Sequence, residues 1–246
     1  MNTIKTIGIL CYDKCSEQDT ITPLEIFRGA AMVVSQQLVI LPTNDKPQPL
    51  DVKLVSITKG NVSMQMGTQV VPDAILDDVT EYDLLYIPGG VGCAEVTKNK
   101  SVLDIISKHY KSGKIIASNC SGIGILYHAG ILGNTPVSCV AAIARRLRKL
   151  GVNVPQPRRM WQGHPETRIW TATGSYGVHG AAVALISYYF DKDVATTIGM
   201  MFDTVGGLSD EMFEKVGPEF YYHPNLESKF QDFWEDKLLP LQTVEA

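Results

Sequence analysis

The chain has no basic excess, no long apolar run, few cysteines and no repeat, and each lack closes off a class of function. Lys and Arg number 22 against 26 Asp and Glu, a formal net charge of −4. Nucleic-acid binders usually carry a basic excess, so no nucleic-acid partner is expected. No apolar stretch approaches the roughly 18 residues needed to span a bilayer, which argues against a membrane role. Residues 1–13 hold too short an apolar part and no small-residue cleavage site, so no secretory signal is expected. Five cysteines in 246 residues make no disulfide scaffold, and an odd count leaves at least one thiol free. No Cys/His cluster has metal-site spacing, so no metal is expected. What remains is a globular composition, 45% hydrophobic and 20% charged, expected of a cytoplasmic protein with reduced thiols.

Short apolar runs alternate with longer helical patterns, the signature of parallel βαβ units. Residues 6–11 read as a first buried strand. A helix over 23–33 follows, with Leu24, Phe27 and Ala31 spaced for one face. Further strands are expected at 38–41, 52–58, 84–87, 114–117 and 168–171, with a short one at 68–71. Residues 44–49 read as a polar, proline-broken loop. Helices are expected at 102–110, from 122 to about 128, at 141–150 and at 180–190. The 141–150 helix carries Arg145, Arg146, Arg148 and Lys149, which read as a solvated face. Beyond Asp191 two more helices, 194–202 and 230–238, flank a glycine- and aromatic-rich stretch at 205–224, where Tyr221, Tyr222 and His223 read as packing. The expected division is an α/β domain over 1–190 and a helical extension over 191–246. That extension would pack on the core or on a second subunit, and it lacks the helix-turn-helix pattern of a DNA-binding domain.

The chemistry concentrates where strand 114–117 runs into Ser118, Asn119, Cys120, Ser121 and Gly122. A nucleophile on a sharp strand-to-helix turn is lifted out at the carboxyl edge of the sheet, where α/β proteins bind ligands. The helix starting just after Cys120 would favour thiolate over thiol, and Gly122 would let the turn pack closely. The alternative is a buried core cysteine. Pro88, Gly89 and Gly90 end another strand, and the two glycine amides could cradle developing negative charge. Asp19 follows the first strand, where it could shuttle a proton or cap the helix starting near Pro23. His179 could reach the pocket and pair with Cys120, and His164 lies beside Trp161. For both, a helix-start or surface position is the simpler reading. Cys11, Cys15, Cys93 and Cys139 read as buried thiols, with Cys15 placed to pair oxidatively with a neighbour.

Four segments in order resemble one superfamily: residues 19–27 (DTITPLEIF), 86–90 (YIPGG), 118–122 (SNCSG) and 173–177 (TGSYG). Over roughly residues 5–190 the chain resembles the ThiJ/PfpI, or class I glutamine-amidotransferase-like, superfamily. The acid-then-Pro-x-Glu segment resembles its isonitrile hydratase branch. The resemblance implies an α/β flavodoxin-like three-layer sandwich with a mainly parallel sheet and a nucleophile elbow. It also implies a homodimer and a small-molecule substrate. Cys120 would be the nucleophile, Asp19 the acid and base, and Ser121 a hydrogen-bonding pocket group. Gly89, Gly90, Gly122 and His179 would complete the site, with neither a metal nor an organic cofactor needed. The chain departs from the branch at Asn119, where a small residue or Val is usual, and at Ser121, where Thr is usual. At 138–141 it lacks the His and Trp of many relatives. With Ser at position 121, protease-like and glyoxalase-like readings lose the Cys–His pair typical of them. A redox or stress sensor acting through Cys120, a ligand-sensing domain, and a glyoxalase or amidase stand as alternatives.

Overall fold

The computed structural model describes residues 4–36, 49–202, 214–220 and 224–240. The chain opens with strand β1 (Thr6–Cys11), helix α1 (Glu17–Ser35) and β2 (Asp51–Ser56). A small hairpin, β3 (Val62–Ser63) with β4 (Gln69–Val70), leads to β5 (Ala74–Ile75) and β6 (Leu84–Ile87). Helices α2 (Cys93–Val96) and α3 (Lys100–Lys111) precede β7 (Ile115–Asn119). A 3-10 turn at Cys120–Gly122 then feeds α4 (Ile123–His128), followed by α5 (Ala141–Lys149). Strands β8 (Arg158–Arg159), β9 (Trp161–His164) and β10 (Ile169–Ala172) lead into α6 (Tyr176–Tyr189) and α7 (Lys192–Met201). Strand β11 (Glu219–Phe220) and helix α8 (Pro224–Leu238) close the described chain.

Among the described residues, seven strands form one sheet in the order β5-β2-β1-β6-β7-β10-β9, all parallel except the antiparallel edge strand β9. Every residue of β6 and β7 is buried, as expected of parallel strands covered on both faces. Each fully buried Ile or Leu among them contributes about 1.5–3 kcal/mol. Helices α1, α6 and α7 pack on one another as one helical layer, and α2 to α5 with α8 form the other. This is the mainly parallel flavodoxin-like sandwich anticipated from the sequence. The chain winds outward from β1 through β2 to β5, then jumps back to β6 on the far side of β1. Ligands of open α/β sheets sit at such a reversal, outside the carboxyl ends of the strands. Here those ends carry the segment before α1, the Pro88–Gly90 turn and the Cys120 turn.

Three expectations are corrected. Helix α1 begins at Glu17 rather than near Pro23, because Ser16 caps it, accepting from the Asp19 N–H. Pro23 therefore lies inside the helix, and Asp19 lies in its first turn, neither in a loop nor as a cap. Strand β9 went unseen because it reads Trp-Gln-Gly-His, without apolar alternation. Its Gly163 lies so close under the Trp170 ring that a Cβ would stand 2.5 Å from it. The basic face of α5 is not solvated, apart from the exposed Lys149. Arg145 Nη2 binds Asp232 Oδ1 at 2.7 Å and Glu235 Oε1 at 2.8 Å. Arg146 donates to the Leu239 carbonyl at 2.8 Å and pairs with Asp236. Arg148 binds the carbonyls of Val154 and Pro155. The acidic face of α8 thus clamps on α5, and Gln231 adds a bond to the Ala141 carbonyl at 3.0 Å. The strand expected at 38–41, most of the 44–49 loop and the Tyr221–His223 cluster lie outside the described residues. No described helix is long and apolar enough to cross a membrane.

Candidate active site: a cysteine elbow facing a buried acid

Strand β7 ends at Asn119, and the next residue, Cys120, takes φ = 54°, a left-handed conformation costly for a residue with a Cβ. This is the elbow expected from the sequence, and it holds because the Pro88–Gly90 turn locks it. A Cβ on Gly89 would lie 2.6 Å from Cys120 Cβ and 2.7 Å from the Ser121 nitrogen. One on Gly122 would lie 2.6 Å from the Pro88 carbonyl oxygen. Only glycine permits this interlock.

Hydrogen bonds complete it. Ser121 Oγ accepts from the Gly90 N–H at 2.9 Å and donates to the Gly90 carbonyl at 3.0 Å. Asn119 Oδ1 accepts from the Gly89 N–H at 3.0 Å. Asn119 Nδ2 donates to Tyr86 Oη at 3.1 Å and to the Asp19 carbonyl at 2.9 Å. That last acceptor exists because of Pro23. A helical N–H at position 23 would have bonded the carbonyl of residue 19, and proline has none to give. Replacing Asn119 by alanine would strand these buried partners together. We expect a loss of about 3 kcal/mol in denaturant unfolding, and a loss under 1 kcal/mol would refute the account.

Asp19 is 1% exposed and faces Cys120, a Cβ on Gly174 lying 3.3 Å from Cys120 Sγ and 3.7 Å from Asp19 Oδ1, while that Oδ1 accepts from the Ser175 N–H at 3.0 Å. Ser175 is itself held at φ = 38°. Burial lifts the Asp19 carboxyl above its ordinary range, partly offset by Ser175, Cys120 and Ser16. Burial, then the Asp19 charge, pushes the Cys120 thiol well up. This corrects the expectation that the following helix would favour thiolate. The Ser121 N–H does favour it, but burial and Asp19 outweigh that bond.

The pair opens into a cavity of about 350 Å³. Gly174 and Ser175 close one side, with the Gly174 Cβ position 3.3 Å from Cys120 Sγ. Phe230, Trp234 and Leu238 of α8, spaced four apart on one face, supply an apolar wall. Arg158 and Gln65 also line it.

Cys120, Asp19 and Ser121 therefore come together as anticipated, though Ser121 spends its hydroxyl on Gly90. Two expectations fail on geometry. The Gly89 and Gly90 amides are engaged by Asn119 and Ser121, so they do not form a cradle for charge at the sulfur. His179 is not in the cavity wall. It lies one turn into α6, stacked edge-on against Phe202 at 5.9 Å, and burial lowers its pKa. His164 pairs with Glu166 at 3.1 Å. Cys11, Cys15, Cys93 and Cys139 are buried, and all five cysteines are free, so Cys15 forms no bridge. Sequence reasoning missed Arg158, Gln65 and the α8 wall. The α8 spacing of 230, 234 and 238 was a usable signal, and Arg158 offered none.

A strained cysteine between a parallel strand and a helix, facing an acid from the first helix, defines a cysteine-elbow protein of the flavodoxin-like α/β class. The family model of the DJ-1/PfpI family matches residues 5–177, and the chain belongs to that family. It is 29% identical over 92 residues to a glutathione-independent glyoxalase, DJR-1.2, of Caenorhabditis elegans, covering 37% of this chain and 49% of that one. It is 34% identical over 89 residues to the deglycase PfpI of Pyrococcus furiosus, covering 35% and 54%. It is 28% identical over 71 residues to an isonitrile hydratase of Pseudomonas putida, covering 29% and 31%. The chain thus spans about half the length of the first two and less of the third. A ThiJ/PfpI family protein from Pseudomonas syringae has the same fold, with a TM-score of 0.71, 17% identity, and coverage of 97% of this chain and 90% of that one.

Proposed function

We propose that the chain hydrates isonitriles, R–N≡C, to N-substituted formamides through a covalent adduct on Cys120. The observation that carries this reading is the juxtaposition of Asp19 and Cys120 on one cavity, with a Cβ on Gly174 within 3.7 Å of both Cys120 Sγ and Asp19 Oδ1. At position 121, where a Cys–His enzyme of this superfamily would hold its imidazole, stands a serine bound to Gly90.

The thiol proton passes to Asp19 as the sulfur attacks the terminal carbon. An S–C bond forms, and Asp19 returns the proton to that carbon, giving a thioimidate, R–N=CH–S–Cys120. Asp19, ionised again, takes a proton from water as the oxygen adds to the same carbon, and the nitrogen gains that proton. The C–S bond then breaks, the sulfur recovers its proton from the new hydroxyl, and R–NH–CHO leaves. Charge develops on carbon rather than oxygen and is quenched by a proton. That first step has no oxyanion to hold, which suits a site whose Gly89 and Gly90 amides are bonded elsewhere. A carboxyl raised by burial is also a better proton donor near neutral pH.

The test is formamide formation from an aryl isonitrile, followed by absorbance. Turnover should fall about 10⁴-fold or more in Cys120→Ala. No wild-type turnover, with Cys120 still alkylated, would sink the reading. The relatives named glyoxalase and deglycase favour a second reading, in which the same pair acts on an aldehyde. Conversion of methylglyoxal to lactate, with isonitriles untouched, would establish it.

A further inference from the structure

We propose that helix α8 makes the cavity selective for substrates carrying an uncharged aromatic or bulky apolar group, with Phe230 and Trp234 as the residues that set the preference. For the identity of the reacting group this rests on the hydratase reading. The preference itself does not need it.

Phe230, Trp234 and Leu238 line the same cavity as Cys120 and Asp19, and Val91 and Val140 add apolar surface to it. Exposure falls along that face of α8, from 45% at Phe230 to 7% at Leu238, so the wall runs from the mouth inward. Its deep end is anchored. The Leu238 carbonyl accepts from Cys93 Sγ at 3.2 Å, and the Leu239 carbonyl accepts from Arg146 Nη1 at 2.8 Å. A Cβ on Gly124, in the helix that follows the elbow, would lie 2.9 Å from Leu239 Cδ1. The wall is therefore a fixed surface against which an apolar group leaves water. A cavity of about 350 Å³ has room for an aromatic ring, since one of about 150 Å³ takes up benzene. Charge has no such place. Among the described residues lining the cavity, Asp19 and Arg158 are the ones of charged type. Arg158 spends Nε on Glu227 Oε1 at 3.3 Å and Nη1 on the Cys139 carbonyl at 2.9 Å, so a substrate anion would have to displace partners already in place. A substrate cation paired with Asp19 would withdraw the acid from the reaction. The nucleophile and the acid lie within the residues 5–177 that match the family model, and α8 lies beyond them. The catalytic pair and the wall that selects for it thus come from different parts of the chain.

The test needs no hydratase activity. Cys120 is alkylated with iodoacetamide, with iodoacetanilide or with the para-carboxylate of the anilide, and its peptide is followed by mass spectrometry. Each reagent forms the same S–C bond with loss of iodide. Glutathione alkylated by the same three sets the intrinsic ratios of rates. We expect the wild-type protein to favour the anilide over iodoacetamide by about tenfold or more beyond the glutathione ratio, and the carboxylate to lose most of that gain. The gain should fall by about threefold or more in Phe230→Ala and in Trp234→Ala. It should persist in Trp234→Phe and in Leu226→Ala, whose side chain is 65% exposed and outside the cavity lining. Phe230→Arg should favour the carboxylate over the anilide beyond the glutathione ratio, a reversal that mere loss of structure could not produce. A wild-type anilide ratio equal to that of glutathione would overturn the proposal. So would an unchanged gain in both folded alanine variants, or a wild-type protein that favours the carboxylate. Should Trp234→Ala not fold, the half-exposed Phe230 decides the matter through its alanine and arginine variants. Absent isonitrile turnover with this preference intact would overturn only the hydratase reading. If isonitriles are turned over, the kcat/KM advantage of phenyl over methyl isonitrile should shrink in Phe230→Ala as the alkylation ratio does.

Discussion

Replacing Asp19 by asparagine is expected to lower turnover by about 10²–10⁴-fold while making the folded protein more stable at neutral pH and Cys120 quicker to alkylate. The three effects come from one carboxyl. On the proposed mechanism, catalysis loses the group that carries the proton to carbon and from water. Stability gains because the Asp19 pKa is raised in the fold by burial. Between the ordinary carboxylate range and that raised value, the folded chain holds a proton the unfolded chain has released. Stability contributed by the protonated group is therefore complete at acid pH and lost as pH rises through the folded pKa. Asparagine escapes that loss, so its melting temperature should match wild type in acid and exceed it at pH 7. The thiol responds in the same direction, since the Asp19 charge is the second cause holding it up. Iodoacetamide should then react faster at a fixed pH near 8. A variant that is inactive, slower to alkylate and less stable at pH 7 would contradict this picture of the pair.

The second large effect is structural. Gly89→Ala would place a methyl 2.6 Å from Cys120 Cβ and 2.7 Å from the Ser121 backbone nitrogen. Neither neighbour is the loose end of a flexible side chain. The turn, the elbow or both must move, and their movement breaks the Asn119 and Ser121 bonds. We expect a loss of about 3 kcal/mol or more in urea unfolding, at the upper end of overpacking penalties. What activity survives should show a slower Cys120 alkylation, because the elbow itself has shifted. A variant within about 1 kcal/mol of wild type with normal turnover would show the interlock to be slack.

The parallel strands were legible because strands buried on both faces are short apolar runs with no competing pattern, as in β1 and β6. Cys120 and Asp19 were legible because their neighbours, Gly122 and the Thr20–Phe27 stretch, are distinctive. What failed did so for local reasons. Pro23 looks like a first helical residue, so the true cap at Ser16 was overlooked. Arg145 and Arg146 of α5 look solvated because their acidic partners on α8 come 87 to 90 residues later in the chain. His179 was placed in the site because it follows a strand closely. The Thr173–Ser175 turn instead presents a backbone N–H to Asp19, and α6 carries the imidazole round to Phe202. Asn119, first met as a departure from the family pattern, proves to be the residue that ties the turn, the elbow and α1 together.

That tie changes what kind of object the dyad is. A catalytic acid on one helix and a nucleophile on another strand are ordinarily free to drift apart as the sheet between them breathes. Here the proline leaves one carbonyl unspent inside α1, and the residue next to the nucleophile claims it. The distance that proton transfer depends on is thereby set by a bond from the residue next to Cys120 to the backbone carbonyl of Asp19 itself, not by the packing of two layers. Fluctuations of the helical layers can reshape the mouth of the cavity without detuning the chemistry at its floor.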